Sequence, residues 1–197
     1  MHAKESNDMK TTELELKGAK LLELRIHGDA RGFFTERYNR ESFREAGIDT
    51  EFVQDNHSRS EPGAIRGLHY QVNPSQSKLV GVVRGAIWDV IVDIRQGSPS
   101  FGRHLGIELS DSNGLLLWVP AGFAHGFCVL GDEPADVLYK VDAPYSPSGE
   151  GGILWSDTDL SIHWPLKDGQ KPLVSARDRA LARFSDYRSA PKFSYLT

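Results

Sequence analysis

Four of the seven histidines in this 197-residue chain stand in tracts where an imidazole could do acid–base or ligand chemistry. They are His57 in QDNHS, His69 in RGLHYQ, His104 in GRHLG and His125 in PAGFAHGF. An imidazole titrates near neutrality, so in a cleft without a metal it works as a general base or acid. A base needs a carboxylate to orient it, a cation for the negative charge that develops, and an acid on the opposite face. Asp89 or Asp178 offers the first, Arg66 and Lys78 the second, and Tyr139 the third. Each also has a plainer reading: Asp178 as a first-turn helix carboxylate, Lys78 as a surface charge, Tyr139 as a cross-strand aromatic. Spacing leaves these open.

The elements that must carry these residues read as short strands. KLVGVV and AIWDVIVDI flank RG, which reads as a hairpin turn. HLGIELS and LLLWVP flank the Asn-Gly turn DSNG, and FAHGFCVL and DVLYKV flank GDEPA. Many strands at short spacing predict an all-β sandwich or barrel rather than a parallel α/β sheet. Helices are expected only at the periphery, over 39–47 with Asn39 as cap and Gly47 as stop, and over 175–184 capped by Ser175. Within AIRGLHYQ, residues 66 and 69 have opposite parity and cannot face one side of a regular strand. A bulge or an irregular strand start at Gly67 would bring Arg66 and His69 to the same face.

Composition bounds the class. Charged residues make up 25% and hydrophobic residues 39%, with a formal net charge of −4, so neither nucleic acid nor an anionic membrane is expected as a partner. One cysteine, Cys128, excludes an intramolecular disulfide framework and reads as a small buried apolar residue. MHAKESNDMK lacks the apolar core of a secretory signal, and nowhere is there a run of about 20 apolar residues. The expectation is one cytoplasmic domain over 1–197, with residues 1–12 as a flexible tail.

PAGFAHGF resembles the second signature of the cupin superfamily, whose small barrels hold such a histidine at the mouth. Metal-binding cupins usually add a His-x-His pair, but GLHYQ has Tyr70 and Gln71 after His69, which argues against a metal. The ordered tracts DARGFFTERYN, FVQDNHSRS, IRGLHYQ, KLVGVVRGAIWDVIVDIRQGSPSFG, LWVPAGFAHGF, LYKVDAPYSPSGEGGILWSD and PLVSARD resemble the dTDP-4-dehydrorhamnose 3,5-epimerase family from Gly28 to Asp178. The resemblance implies a cupin-type jelly-roll barrel with short peripheral helices, no cofactor, no metal and a homodimer. It implies a dTDP-linked 4-keto-6-deoxy sugar as substrate.

Carried over, His69 is the base, Asp178 its carboxylate, Tyr139 the acid, and Lys78 the cation near the 4-keto oxygen. Arg31 and Arg66 serve the diphosphate; Gln54 and Asn56 bracket the nucleotide, and Asp55 between them is counted among the substrate contacts. Glu36, His125, Glu150 and Arg177 match further ligand contacts, with Arg31 and Glu36 reaching the partner subunit's site. Two positions depart from the family pattern. Arg177 replaces a frequent lysine, and Pro144 replaces a frequent aromatic beside Tyr145, which bears on whether one or both sugar carbons are inverted. Outside the main reading stand a C3-only epimerase, a metal-dependent cupin enzyme and a non-catalytic sugar-binding cupin.

Overall fold

Runs rich in Val, Ile, Leu and aromatics, bounded by Gly, Pro and Asn-Gly turns, form the strands of the computed structural model, which describes residues 9–195. In chain order the elements are β1 (Lys10–Glu13), β2 (Lys20–Glu23), β3 (His27–Asp29), β4 (Gly32–Phe34) and α1 (Arg40–Glu45). Then come β5 (Gln54–Ser60), β6 (Ala64–Gln71), β7 (Lys78–Arg84), β8 (Ala86–Asp93), β9 (Arg95–Gln96) and β10 (His104–Ser110). The series continues with β11 (Leu115–Val119), β12 (Phe123–Val129), β13 (Ala135–Val141) and β14 (Glu150–Gly152). It ends with β15 (Leu173–Val174), α2 (Ala176–Arg179), α3 (Phe184–Ser189) and β16 (Phe193–Ser194).

Two antiparallel sheets face each other as a cupin-like jelly roll. The front sheet runs β1-β2-β11-β7-β13-β5, and the back sheet β10-β8-β12-β6-β14 with β15 added parallel to β6. Their facing sides share one core, with Val80, Leu117 and Val137 from the front meeting Ile87, Ile91, Phe123 and Phe127 from the back. Full burial of each such side chain contributes about 1.5–3 kcal/mol. The outer side of the back sheet is covered as well: Ile65, Leu68, Val90, Ala124 and Cys128 pack under Trp164, Phe184 and Tyr187. Hence every residue of β12 is buried, on both parities. Phe43 of α1 packs with Leu22, Leu79 and Trp118 on the outer side of the front sheet.

The turns lie where the sequence predicts them, but the strands they join do not pair. β7 lies in the front sheet and β8 in the back one, so the RG turn at Gly85 is a corner between sheets and not a hairpin. The same holds for DSNG between β10 and β11 and for GDEPA between β12 and β13. A turn signal reports a change of direction; it says nothing of which strand lies alongside. Residues 10–12, expected in a tail, form most of β1, paired with β2 from Lys10 opposite Glu23 to Glu13 opposite Lys20. The rest of that expected tail, up to residue 8, lies outside the described residues.

The helix expected over 39–47 forms as α1, where the Asn39 side chain accepts from the N–H groups of Glu41 and Ser42 and Gly47 follows at φ +77°. The one expected over 175–184 stops after a single turn, α2, capped by Ser175. Beyond it the chain bridges Ile153 through Ala182, and Asp157 accepts the N–H of Phe184 to start α3. That tertiary pairing overrides the local helical preference of ARDRALARF. Among the described residues no helix is long and apolar enough to cross a membrane.

Candidate active site

Between the sheets opens a cavity of about 570 Å³, with Arg66, His69 and His125 on the back wall and Lys78 and Tyr139 on the front. A neighbouring lobe of about 340 Å³ shares His69, Lys78, Tyr139 and Glu150 and adds Gln54, Asn56 and Tyr145. A chamber of this size suits a small-molecule ligand.

The back wall depends on an irregularity in β6. Arg66 opposes Phe127 of β12 and His69 opposes His125, so three steps on β6 match two on β12. The extra residue inverts the side-chain phase, leaving Ile65 and Leu68 in the outer core while Arg66 and His69 both line the cavity. Gly67 lies at φ +117°, and a Cβ there would sit 2.6 Å from Gly126 Cα and 2.7 Å from the His125 carbonyl. The bulge expected from parity is present, and glycine permits it.

Of the two candidate orienting carboxylates, Asp178 serves His69. Its Oδ1 lies 2.8 Å from His69 Nε2, and its Oδ2 accepts the Gly67 N–H at 3.2 Å. Asp178 is the third residue of the short helix capped by Ser175, whose Oγ accepts the Asp178 N–H at 3.0 Å. So its place in a first helical turn and its role as orienter coincide. Burial works to raise the Asp178 pKa, but the bond from His69, aided by the His69 charge, Gly67 and Arg177, holds it below the ordinary carboxylate value. An ionised Asp178 accepts only, so His69 carries its proton on Nε2 and leaves Nδ1 to take another.

Asp89 instead serves His125, whose Nε2 lies 2.9 Å from both of its oxygens. Burial pushes the Lys78 ammonium down to about 8 against the charges of Asp89 and Glu150. Tyr139 rises above its ordinary value through burial, offset by Arg66 and reinforced by Glu150, so its phenol stays protonated near neutral pH.

The mouth is tied by Glu150. Its Oε2 accepts from Tyr145 Oη at 2.6 Å and pairs with Arg177 Nη2 at 2.6 Å. Gln71 braces the same loop, donating to the carbonyls of Pro74 and Pro144 and accepting the Ser146 N–H. Gln54 bonds Asn56 on one side and accepts the Tyr145 N–H on the other. Arg66 donates to Ser60 Oγ at 2.8 Å and to the Arg59 carbonyl at 3.1 Å. Sequence reasoning passed over the bracing by Gln71 and the tie from Tyr145 to Glu150. The only signal for either was the turn-rich tract DAPYSP, which says nothing of its contacts.

Three expected site residues do not join this cavity. Asp55 has the parity opposite to Gln54 and Asn56, so it projects from the outer side of β5, where both oxygens bond Lys140 Nζ. As a contact within its own subunit's cavity it is corrected. Arg31 sits at the β3–β4 turn, 90% exposed at its side chain and paired with Asp29. Glu36 follows on the same exposed segment, bonded by Asn39 Nδ2. Of the other two histidines examined, His57 is held by Asp136 on the outer face and His104 begins β10 in an exposed position. Cys128 is fully buried, and burial pushes its thiol up to about 11.

Comparison with known proteins adds an independent line. The profile of the family described as dTDP-4-dehydrorhamnose 3,5-epimerase matches residues 13–186. The dTDP-4-dehydrorhamnose 3,5-epimerase of Pseudomonas aeruginosa is 50% identical over 179 residues, which span 90% of this chain and 97% of that protein. A crystal structure of dTDP-6-deoxy-D-glucose-3,5-epimerase from Legionella pneumophila, in complex with dTDP-4-keto-L-rhamnose, superposes with a TM-score of 0.91 at 42% identity. The match covers 96% of this chain and 100% of that one. The Bacillus anthracis dTDP-4-dehydrorhamnose 3,5-epimerase, with TDP and PPi bound, gives 0.84 at 50% identity, covering 89% and 99%.

Proposed function

This chain belongs to the dTDP-4-dehydrorhamnose 3,5-epimerase family, and from that premise we propose how its residues divide the work. The protein is an isomerase acting on a dTDP-linked sugar: it inverts C3 and C5 of dTDP-4-dehydro-6-deoxy-D-glucose to give dTDP-4-dehydro-L-rhamnose. Both carbons flank the C4 ketone, which makes their hydrogens acidic. In the D-gluco ring those two hydrogens are axial on the same face. A base on one wall and an acid on the other therefore suffice for both inversions.

His69 Nδ1 removes the proton from the ring face turned to the back wall, while Asp178 fixes the imidazole and steadies its charge. The electron pair moves to the ketone oxygen, where the buried Lys78 ammonium meets the enolate. Tyr139 Oη then returns a proton to the carbon from the front wall. The ketone is the electron sink, so the step balances without a redox partner. Arg66 holds the diphosphate together with Arg31 of the partner subunit, His125, Glu150 and Arg177 contact the substrate, and Gln54 and Asn56 bracket the nucleotide beside Tyr145. Remote binding of this kind is spent on orienting the sugar.

The single observation that supports this reading is the His69–Asp178 pair at 2.8 Å, opening on the cavity that Tyr139 and Lys78 line from the opposite sheet. The protein acts as a homodimer in this proposal, with Arg31 and Glu36 reaching the partner subunit's site. Phe33 and Phe34 on the same hairpin are 68% and 70% exposed, an apolar surface that a second copy would cover.

The test is turnover of dTDP-4-dehydro-6-deoxy-D-glucose in D₂O with deuterium mapped by NMR. Label enters C3 and C5, C3 first. Label confined to C3 through many turnovers would make this a C3 epimerase.

A further inference from the structure

The cavity holds a second carboxylate-backed imidazole that the proton transfers above leave unused. His125 is the register partner of His69, on the adjacent strand and the same side of the back sheet. Behind it lies Asp89 on β8, 0% exposed, with both oxygens 2.9 Å from His125 Nε2. A fully buried carboxylate is costly unless its partners favour the charge. Asp89 has no exposed surface to relieve that cost, and its bonded partner is a residue lining the cavity.

We infer that Asp89 is a positioning residue for the epimerisation: it pins the His125 imidazole through Nε2–H, turning the ring's other nitrogen to a hydroxyl of the bound sugar, and places a fixed negative charge behind the enolate-stabilising Lys78. The inference rests on the reading of the cavity as the epimerase site. Two acceptor oxygens on one ring nitrogen require that nitrogen to carry the proton, which fixes the tautomer and the ring plane together. Without Asp89 the ring is free to rotate, and the sugar, still held through its nucleotide, sits misaligned against the wall that carries the base. The buried ammonium of Lys78, pushed down by desolvation, is supported by the charges of Asp89 and Glu150.

The variant Asp89→Asn keeps the shape and removes the charge. In the full-length protein it is expected to lower kcat about 100-fold, the cost of a small misplacement of the reacting groups, with KM within a few-fold of wild type. A kcat within threefold of wild type in a folded Asp89→Asn protein would overturn the inference, as would a loss carried by KM alone. Should that variant fail to give a cooperative melt, the unaltered protein decides: nitrogen-15 NMR must show the His125 proton on Nε2, and a proton on Nδ1 alone overturns the assignment. His69→Asn serves as the parallel control. An active His69→Asn protein would sink the epimerase reading itself, whereas an inactive one beside a fully active Asp89→Asn protein would sink only the role of Asp89.

Discussion

Arg66 and His69, three residues apart on β6, oppose Phe127 and His125, which are two residues apart on β12. That mismatch of one residue lets a cation suited to the diphosphate and the proposed base share one wall. It is localised at Gly67, whose α-carbon approaches Gly126 too closely for any side chain.

Gly67→Ala should therefore damage both fold and activity. The positive φ and the backbone on the opposing strand leave a methyl group no room, and strain of this kind costs roughly 1–3 kcal/mol. Denaturant unfolding measures the loss of stability, and turnover should fall further than the unfolded fraction explains, because the phase of His69 shifts. Wild-type stability with wild-type turnover would show that β6 tolerates the side chain.

Base and acid should separate by mutation. His69→Asn deletes the proton acceptor, so exchange of the sugar's C3 and C5 hydrogens with D₂O should vanish while dTDP binding by calorimetry is retained. Tyr139→Phe leaves the acceptor in place, so some exchange without net inversion is expected. Near-normal exchange in His69→Asn would place the base elsewhere.

Lys78 sets an alkaline limit. Burial brings its ammonium down to about 8, with Asp89 and Glu150 opposing the shift. The charged form that stabilises the enolate is present below that pH and lost above it, so kcat should decline as pH rises through about 8. Lys78→Met should lower kcat by about 10²–10³-fold, as for loss of an oxyanion donor. The sign for stability is opposite: a lysine whose folded pKa is depressed destabilises the fold wherever its ammonium must be buried. Lys78→Met should accordingly raise the melting temperature at pH 7, and a lowered one would count against a desolvated ammonium.

Much of this protein could be read along the chain. The apolar runs and their turns marked the strands, Asn39 and Ser175 marked helix starts, and the parity of residues 66 and 69 pointed to an irregularity at Gly67, which the register shift against β12 bears out. The resemblance of the ordered tracts singled out His69, Asp178, Lys78 and Tyr139, and all four line one cavity. These features are local or pattern-borne, because a strand's periodicity records which face is buried.

What the periodicity does not record is the neighbour. Three turns that join consecutive strands proved to be corners between sheets, since strand pairing is decided by contacts far apart in sequence. Asp55, expected among the substrate contacts with Gln54 and Asn56, lies on the other side of β5 and bonds Lys140, as alternation along the strand requires. Residues 180–183 left the helix that their composition favours for a bridge to Ile153. By spacing alone Asp89 and Asp178 were interchangeable as orienters; the resemblance assigned Asp178 to His69, and the fold pairs them while giving Asp89 to His125. Side-chain chemistry is legible residue by residue, but spacing leaves open which carboxylate meets which imidazole, because the pairing forms only when two sheets and a late helix close around one cavity.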